Sequence, residues 1–353
     1  MESLKSLSLF VLSCLLTLLL FEGALRLVEH FSNGESLDQQ LKRSAEATPL
    51  AEQGNTSLGG LIIQSKWPDV VYEMKPFLNT RFQGKALTTN EFGMREGEVS
   101  KIKTPGTFRI AGIGDSVIFG WGVEQNETYL KLLEEKLTQT AGRKIETLNF
   151  GVPGYNTAME VSLFERRGIE FSPDLVLMHF VSNDFDVPAF MLEKQDPLDL
   201  SKSFLLDFIY SRLNSKQKPA LKSVQRVDRN KSMSHVRNAY RPMTGARGTY
   251  RALKKLRGMT IDRGIPVHIL YGKVTKEQFR VLKKARDSLG FTLIPIGEFV
   301  PEALKKRGIP NTPVVRKKLL TVAPKDRHPS ALAHEIIADG LVEKLGSSIL
   351  ARP

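Results

Sequence analysis

The sequence predicts an α/β protein of three layers, with a mainly parallel sheet between two layers of helix and an apolar helix ahead of it. Three observations predict this. From Thr107 onward, five short apolar runs alternate with longer stretches of helical periodicity, which is the pattern of parallel strands joined by crossover helices. A charge-free, leucine-rich run, Ser6 to Phe21, opens the chain. The 353 residues, with 41% hydrophobic and 25% charged side chains, supply one large core plus extensions.

Residues 6–28 form the expected membrane segment. Sixteen uncharged residues of helix cover about 24 Å, slightly less than a hydrocarbon core. The apolar pattern resumes in Gly23-Ala-Leu-Arg-Leu-Val28. Glu22 and Arg26 stand four apart and can neutralise each other near the interface. A cleaved secretory signal competes with an uncleaved single-pass anchor. The run lacks a small-x-small cleavage site directly after it, which favours the anchor. Ser13-Cys14 hints at a lipoprotein site, but too much apolar sequence follows it. Lys5 marks the short side as cytoplasmic, against Arg26, Lys42 and Arg43 on the other flank. The expectation is that the domain after the anchor lies outside the cytoplasm.

The organisation read from the chain is an anchor (1–30), a polar linker (31–60) and one domain (61–353). That domain carries an N-terminal arm (61–106) and a basic insertion (about 185–247). Strands are expected at Phe108–Ile113, Ile145–Phe150, Leu175–Phe180, Val267–Tyr271 and Phe291–Ile294. Helices are expected at Glu127–Thr138, Ala158–Arg167, Tyr250–Arg263, Lys276–Ser288 and Ser330–Lys344. The insertion has no clean strand and holds the charge. Arg212 to Arg257 contain fourteen Lys or Arg and one acid, Asp228, which matches the net charge of +13 for the whole chain. Such a run is either a solvated face or a surface for anionic polysaccharide or lipid, with Lys216, Lys218, Lys222 and Arg226 at its centre. Tyr240 and Tyr250 lie nearby, but no nucleic-acid-binding module encloses them, so no nucleic-acid partner is expected.

Cys14 is the only cysteine, which excludes an intrachain disulfide and a thiolate metal cluster. The six histidines show no H-E-x-x-H or similar spacing, so no metal site and no cofactor are expected.

Chemistry concentrates at strand ends. The run Phe108-Arg-Ile-Ala-Gly-Ile-Gly-Asp-Ser116 is strand, tight turn, serine. That order lifts a hydroxyl to the carboxyl end of a parallel sheet, where ligands of open α/β sheets bind. The second strand leads to Gly154 and the third to Val181-Ser-Asn-Asp184. Asp326-Arg-His328-Pro329 opens the last helix, with Pro329 suited to a helix start. Acyl transfer needs a nucleophile, a base and donors aimed at an oxyanion. Ser116, His328, and the N–H groups of Ser116 and Gly154 with the Asn183 amide fill those roles. Asp326 can fix the imidazole tautomer. Each has a plain alternative: Asp115 and Ser116 as helix caps, Gly154 as a turn, Asn183 as a cap, His328 as a surface residue.

These residues are where the chain resembles a known family, the SGNH/GDSL hydrolases, over about Asn90 to the C-terminus. The four residues that name the family map onto Ser116, Gly154, Asn183 and His328. Asn90-Glu-Phe-Gly-Met-Arg95, upstream of the serine block, and the anchor pattern resemble a bacterial membrane-anchored subgroup. The resemblance implies a flavodoxin-like α/β/α fold and a serine ester hydrolase. It implies an acyl or acetyl ester of a carbohydrate or lipid as substrate. An O-acyltransferase of envelope polysaccharide and a non-catalytic polysaccharide-binding protein are the alternatives. Two departures stand out. Val181 replaces the glycine usual two residues before the asparagine, and the acid lies two residues before His328, Lys325 occupying the usual place. The assignment of Asp326 as triad acid therefore stays open. His334 matches a position read as structural.

Overall fold

A computed structural model of the chain describes residues 2–31, 55–192, 203, 205, 206, 209, 224–226 and 240–350. Most of the expected linker, and most of the basic insertion including Lys216, Lys218 and Lys222, lie outside the described residues. The chain divides into two compact units, residues 1–40 with 192–225, and residues 41–191 with 226–353.

The first unit is built on one continuous helix, α1 (Glu2–Phe31). Its stretch Ser8–Leu27 is long and apolar enough to cross a membrane, with a mean hydropathy of 2.1. Leu12, Leu16, Leu19 and Leu20 are all exposed, so the helix presents an apolar surface on several sides. Glu22 is the acid within this stretch, and its charge is answered locally. One oxygen pairs with Arg26 at 2.7 Å. The other accepts from Ser203 Oγ at 3.0 Å and from the Leu205 N–H at 2.7 Å.

The second unit holds a five-stranded sheet: β1 (Phe108–Gly114), β2 (Ile145–Gly151), β3 (Leu175–Phe180), β4 (Val267–Tyr271) and β5 (Thr292–Pro295). The order across the sheet is β2-β1-β3-β4-β5 and every pairing is parallel. Side chains alternate between the two faces of a strand, and both faces are buried. Ala111, Ile113, Val176 and Met178 point to one face, beneath α4 (Thr157–Arg166), α5 (Gly245–Thr260) and α6 (Lys276–Leu289). Phe108, Ile110, Leu175 and Leu177 point to the other, beneath α3 (Tyr129–Ala141) and α9 (Ala331–Leu350). The result is a three-layer α/β/α fold. The remaining helices are α2 (Ser116–Phe119), α7 (Phe299–Lys306) and α8 (Pro313–Leu319).

In this strand order the chain reverses direction across the sheet between β1 and β3. Ligands of open α/β sheets lie at that switch point, outside the carboxyl ends of the strands. The arm contributes two short hairpins, Ile62–Gln64 with Tyr72–Met74 and Asn79–Phe82 with Lys85–Thr88.

The expected elements fall close to the observed ones, with three differences. The insertion, expected without a clean strand, carries two short ones, Phe190–Leu192 and Val224–Arg226. Helix α5 begins at Gly245, five residues before the expected start. Gly248 is where the helix packs hard on its own approach: a Cβ there would meet Met243 and Pro242 backbone atoms at 2.6 and 2.7 Å. Residues Asp326–Pro329 are not the opening of the last helix. They form a strand antiparallel to Thr321–Ala323, and Ser330, whose carbonyl accepts from the His334 N–H, stands ahead of α9.

Candidate active site

Four loops at the carboxyl ends of β1, β2 and β3 and before α9 bring the site together. After β1, the Asp115 carboxylate accepts from the Val117 N–H at 3.0 Å and caps the short helix α2. Ser116 is thereby the first helical residue, held at the strand end and 93% buried. The hairpin Thr321–Pro329 delivers His328 to it from 212 residues away, with Nε2 at 2.9 Å from Ser116 Oγ. His328 Nδ1 lies 2.6 Å from Asp326 Oδ1. A carboxylate can only accept, so Nδ1 carries the proton and Nε2 is left with its lone pair facing the serine hydroxyl; the tautomer is assigned from this pattern.

The short Asp-x-His spacing works because the two residues lie on one strand. Residues i and i+2 of a strand share a face, and the same Asp326 oxygen also accepts the His328 backbone N–H at 3.0 Å. Asp326 Oδ2 accepts from the Trp121 indole N–H at 3.0 Å. Burial would raise the Asp326 carboxyl, but the bonds from His328 and Trp121 outweigh it and hold the group below its usual value. Trp121 also stacks on the His328 ring, with centroids 4.6 Å apart and planes 15° from parallel. One indole therefore fixes the acid and the base together.

Gly154 follows β2 with φ of +81°, where a side chain is strained. A Cβ would overlap Ala189 and come within 3.0 Å of the Tyr72 hydroxyl. Among the described residues, the backbone N–H groups of Ser116 and Gly154 donate to nothing. Asn183 Nδ2 is differently placed. It donates to Asp115 Oδ2 at 3.1 Å and to the Tyr155 carbonyl at 3.4 Å. The structure thus brings Ser116, His328, Asp326 and Asn183 into one network, with Gly154 beside it through the Tyr155 loop. His334 lies apart, fully buried, with Nδ1 accepting the Tyr129 N–H at 3.1 Å. Burial, with the charges of nearby His179, Arg95 and His328, lowers its pKa to about 3. No group of three or more His, Cys, Asp or Glu residues able to hold a metal exists among the described residues.

The arm does more than pack on the sheet, and sequence reasoning did not reach this. Asn90 Oδ1 accepts the N–H groups of Phe92 and Met94 and forms a tight turn. Gly93 takes the left-handed conformation at its apex, with φ of +75°. A Cβ on Gly93 would meet the Met74 carbonyl at 2.5 Å. The turn drives Arg95 beneath the serine loop, where its guanidinium donates to the carbonyls of Phe119, Gly120 and Val123. Of these, Phe119 is the last residue of α2, whose carbonyl the helix leaves open, and Gly120 and Val123 belong to the turn that follows it. The spacing Asn-x-x-Gly-x-Arg was visible in the sequence, but its target, 24 or more residues downstream, was not. Trp121 was missed for the same reason.

No protein-family model matches the chain, and no curated protein matches it in sequence. Solved structures with a similar arrangement include a lipolytic protein of the G-D-S-L family from Desulfitobacterium hafniense. It is 12% identical, with 65% of this chain and 95% of that one covered and a TM-score of 0.38. A lipase/acylhydrolase from Enterococcus faecalis is 14% identical, with 68% and 96% covered and a TM-score of 0.40. An esterase from Pseudoalteromonas is 11% identical, with 68% and 97% covered and a TM-score of 0.39. The functional reading below rests on the geometry of this chain.

Proposed function

We propose that this protein is a membrane-anchored serine esterase of the SGNH/GDSL type, acting through an acyl-enzyme. One observation carries the reading. An unbroken hydrogen-bond line, Ser116 Oγ to His328 Nε2 and His328 Nδ1 to Asp326, lies at the sheet's switch point.

In the proposed reaction Ser116 Oγ attacks the ester carbonyl and its proton passes to His328 Nε2. Asp326 stabilises the imidazolium without taking its proton. The oxyanion is held by the Ser116 and Gly154 N–H groups, which have no other acceptor, and by Asn183 Nδ2. The 3.4 Å bond from Asn183 to the Tyr155 carbonyl is the weaker of its two and the one released to the oxyanion. His328 then gives its proton to the departing alcohol. A water, deprotonated by His328, resolves the acyl-enzyme and returns Ser116. The ester belongs to a carbohydrate or a lipid. The anchor places the catalytic unit at a membrane, on the side away from the cytoplasm.

The test is an ester panel running from acetylated sugars to long-chain acyl esters, given to the full chain in detergent micelles and to Ser116→Ala. Turnover of one ester class that disappears in Ser116→Ala is expected. Equal background rates for both proteins across the panel would overturn the reading. Repeating the active case with a sugar acceptor separates hydrolysis from acyl transfer.

A further inference from the structure

Beneath the Asn183 loop lie two acids that the reaction does not use. Glu160, on α4, is 1% exposed and Asp184, next to Asn183, is fully buried. Neither Glu160 oxygen, nor Asp184 Oδ1, receives a hydrogen bond from any donor among the described residues. Their carboxyl groups instead face each other within bonding reach. Two ionised carboxylates could not bond there, because neither has a proton to donate. The Thr157 hydroxyl, itself without another partner, stands beside Asp184. Asp184 Oδ2 accepts the Val181 N–H at 2.5 Å, a bond that favours the charged form of Asp184. A proton held between the two would therefore sit on Glu160.

The pair closes a set of braces on the loop. Asp184 ties its carboxylate to Val181 and so turns the chain through Ser182 and Asn183. From α6, Gln278 Nε2 donates to the Ser182 carbonyl at 2.7 Å. From the start of α4, Asn156 Nδ2 donates to the Asp186 carbonyl at 2.9 Å. From α5, Thr249 Oγ1 donates to the Asp184 carbonyl at 3.4 Å. Of these braces only Glu160–Asp184 depends on a proton. We propose that Glu160 and Asp184 share a single proton, and that this acid-to-carboxylate bond is the positioning device that holds Asn183 over Ser116. The proton sharing stands on its own, while its consequence for catalysis rests on the esterase reading.

Burial, joined by the charges of neighbouring carboxylates, pushes both acids above the usual range. The titratable groups facing the pair are Asp115 from the serine turn, Tyr129 from α3 and Tyr155 from the loop after β2. The two tyrosines are buried and held in the neutral form, because burial pushes their pKa values up. Asp115 adds negative charge and so favours keeping the shared proton.

The sign of the pH effect follows. Glu160 has its ordinary value near 4.5 in the unfolded chain and a raised one in the folded chain. Its contribution to stability is fully present below the unfolded value. It is lost progressively as pH rises, until the folded value is passed.

The experiment compares the full chain in detergent micelles as wild type, Glu160→Gln and Glu160→Ala. A glutamine amide donates to Asp184 as the protonated acid does, but without titrating. Urea unfolding from pH 5 to 8 reads the proton. The folding constant of wild type is expected to fall relative to Glu160→Gln as pH rises, with a limiting slope of about tenfold per pH unit, that of one proton. Hydrogen exchange of the peptide spanning residues 181–186 reads the brace. It should accelerate in Glu160→Ala and stay near wild type in Glu160→Gln. On an ester substrate, Glu160→Ala should lose roughly 10²-fold in kcat with KM little changed, the cost of a misplaced group. Glu160→Gln should keep most of its rate. Parallel pH curves would overturn the shared proton. Unchanged exchange in Glu160→Ala, or equal acceleration in both variants, would overturn the brace. If Glu160→Ala does not fold, Glu160→Leu, which fills the same buried space without a donor, takes its place in the exchange measurement, with the same acceleration expected. Absence of esterase activity in every protein would count against the proposed function alone, since unfolding and exchange do not require it.

Discussion

The two ends of the same three strands are built to opposite rules. At the amino end, Arg109 is 1% exposed and every direction of its guanidinium is used. It bonds to Glu146 and to the carbonyls of Ser100, Lys101 and Phe171. Asp174 accepts the Arg109 N–H and pairs with Lys103 at 2.6 Å. At the carboxyl end, backbone donors of Ser116 and Gly154 are left open. Two acids share a bond there that requires a proton, and a histidine lone pair faces a hydroxyl. A buried polar group without a partner costs free energy. A sheet whose amino end is paired as closely as it is around Arg109 can carry a carboxyl end that is not. The amino end should therefore govern stability and the carboxyl end rate.

Substitutions can break this contrast, and the largest effect is expected at the serine. Ser116→Ala and His328→Ala should each lower kcat on the order of 10⁶-fold, because members of a triad act as a unit. The urea midpoint should barely move, since the change at Ser116 removes one hydroxyl. Asp326→Asn should cost less, roughly 10⁴-fold in kcat, by misplacing the imidazole tautomer. Silence of that variant, with another acid proving essential, would remove Asp326 from the triad.

The converse comes from the other end. Arg109→Met should lower the unfolding free energy by about 3 kcal/mol, the lower end for a broken buried pair. Glu146, at 20% side-chain exposure, can regain water. At temperatures where the variant stays folded, kcat should equal that of wild type. A rate loss without a stability loss would erase the distinction between the two ends. The smallest effect should come from Trp121→Phe, which keeps the stacking on His328 but loses the bond to Asp326. One hydrogen bond to a charged group corresponds to a kcat loss of about tenfold, measured with the midpoint held as a control.

The same contrast shows what could be read from the chain. The sheet was legible because both its faces are buried, which makes its strands continuous apolar runs such as Leu175–Phe180. The residues of the site were legible one by one, since Ser116, Gly154 and Asn183 each follow a strand and must sit at one edge of a parallel sheet. What joins them was not legible. Trp121 and Asp326 are 205 positions apart, and nothing near either residue marks the other. The strand Asp326–Pro329 is four residues long and made by its pairing with Thr321–Ala323, so no local periodicity reveals it. Glu160 lies within the expected helix Ala158–Arg167, and nothing in its sequence neighbourhood sets it apart. Its burial against Asp184 is a property of the packed layers alone.

The central claim is that Ser116 is a nucleophile activated by His328, and a fluorophosphonate probe tests it most directly. The full chain in micelles should acquire a single covalent adduct, located on Ser116 by peptide mass spectrometry. The adduct should be absent in Ser116→Ala and form far more slowly in His328→Ala. A folded wild-type protein that stays unlabelled, or labels at another residue at the same rate in all three proteins, would contradict it.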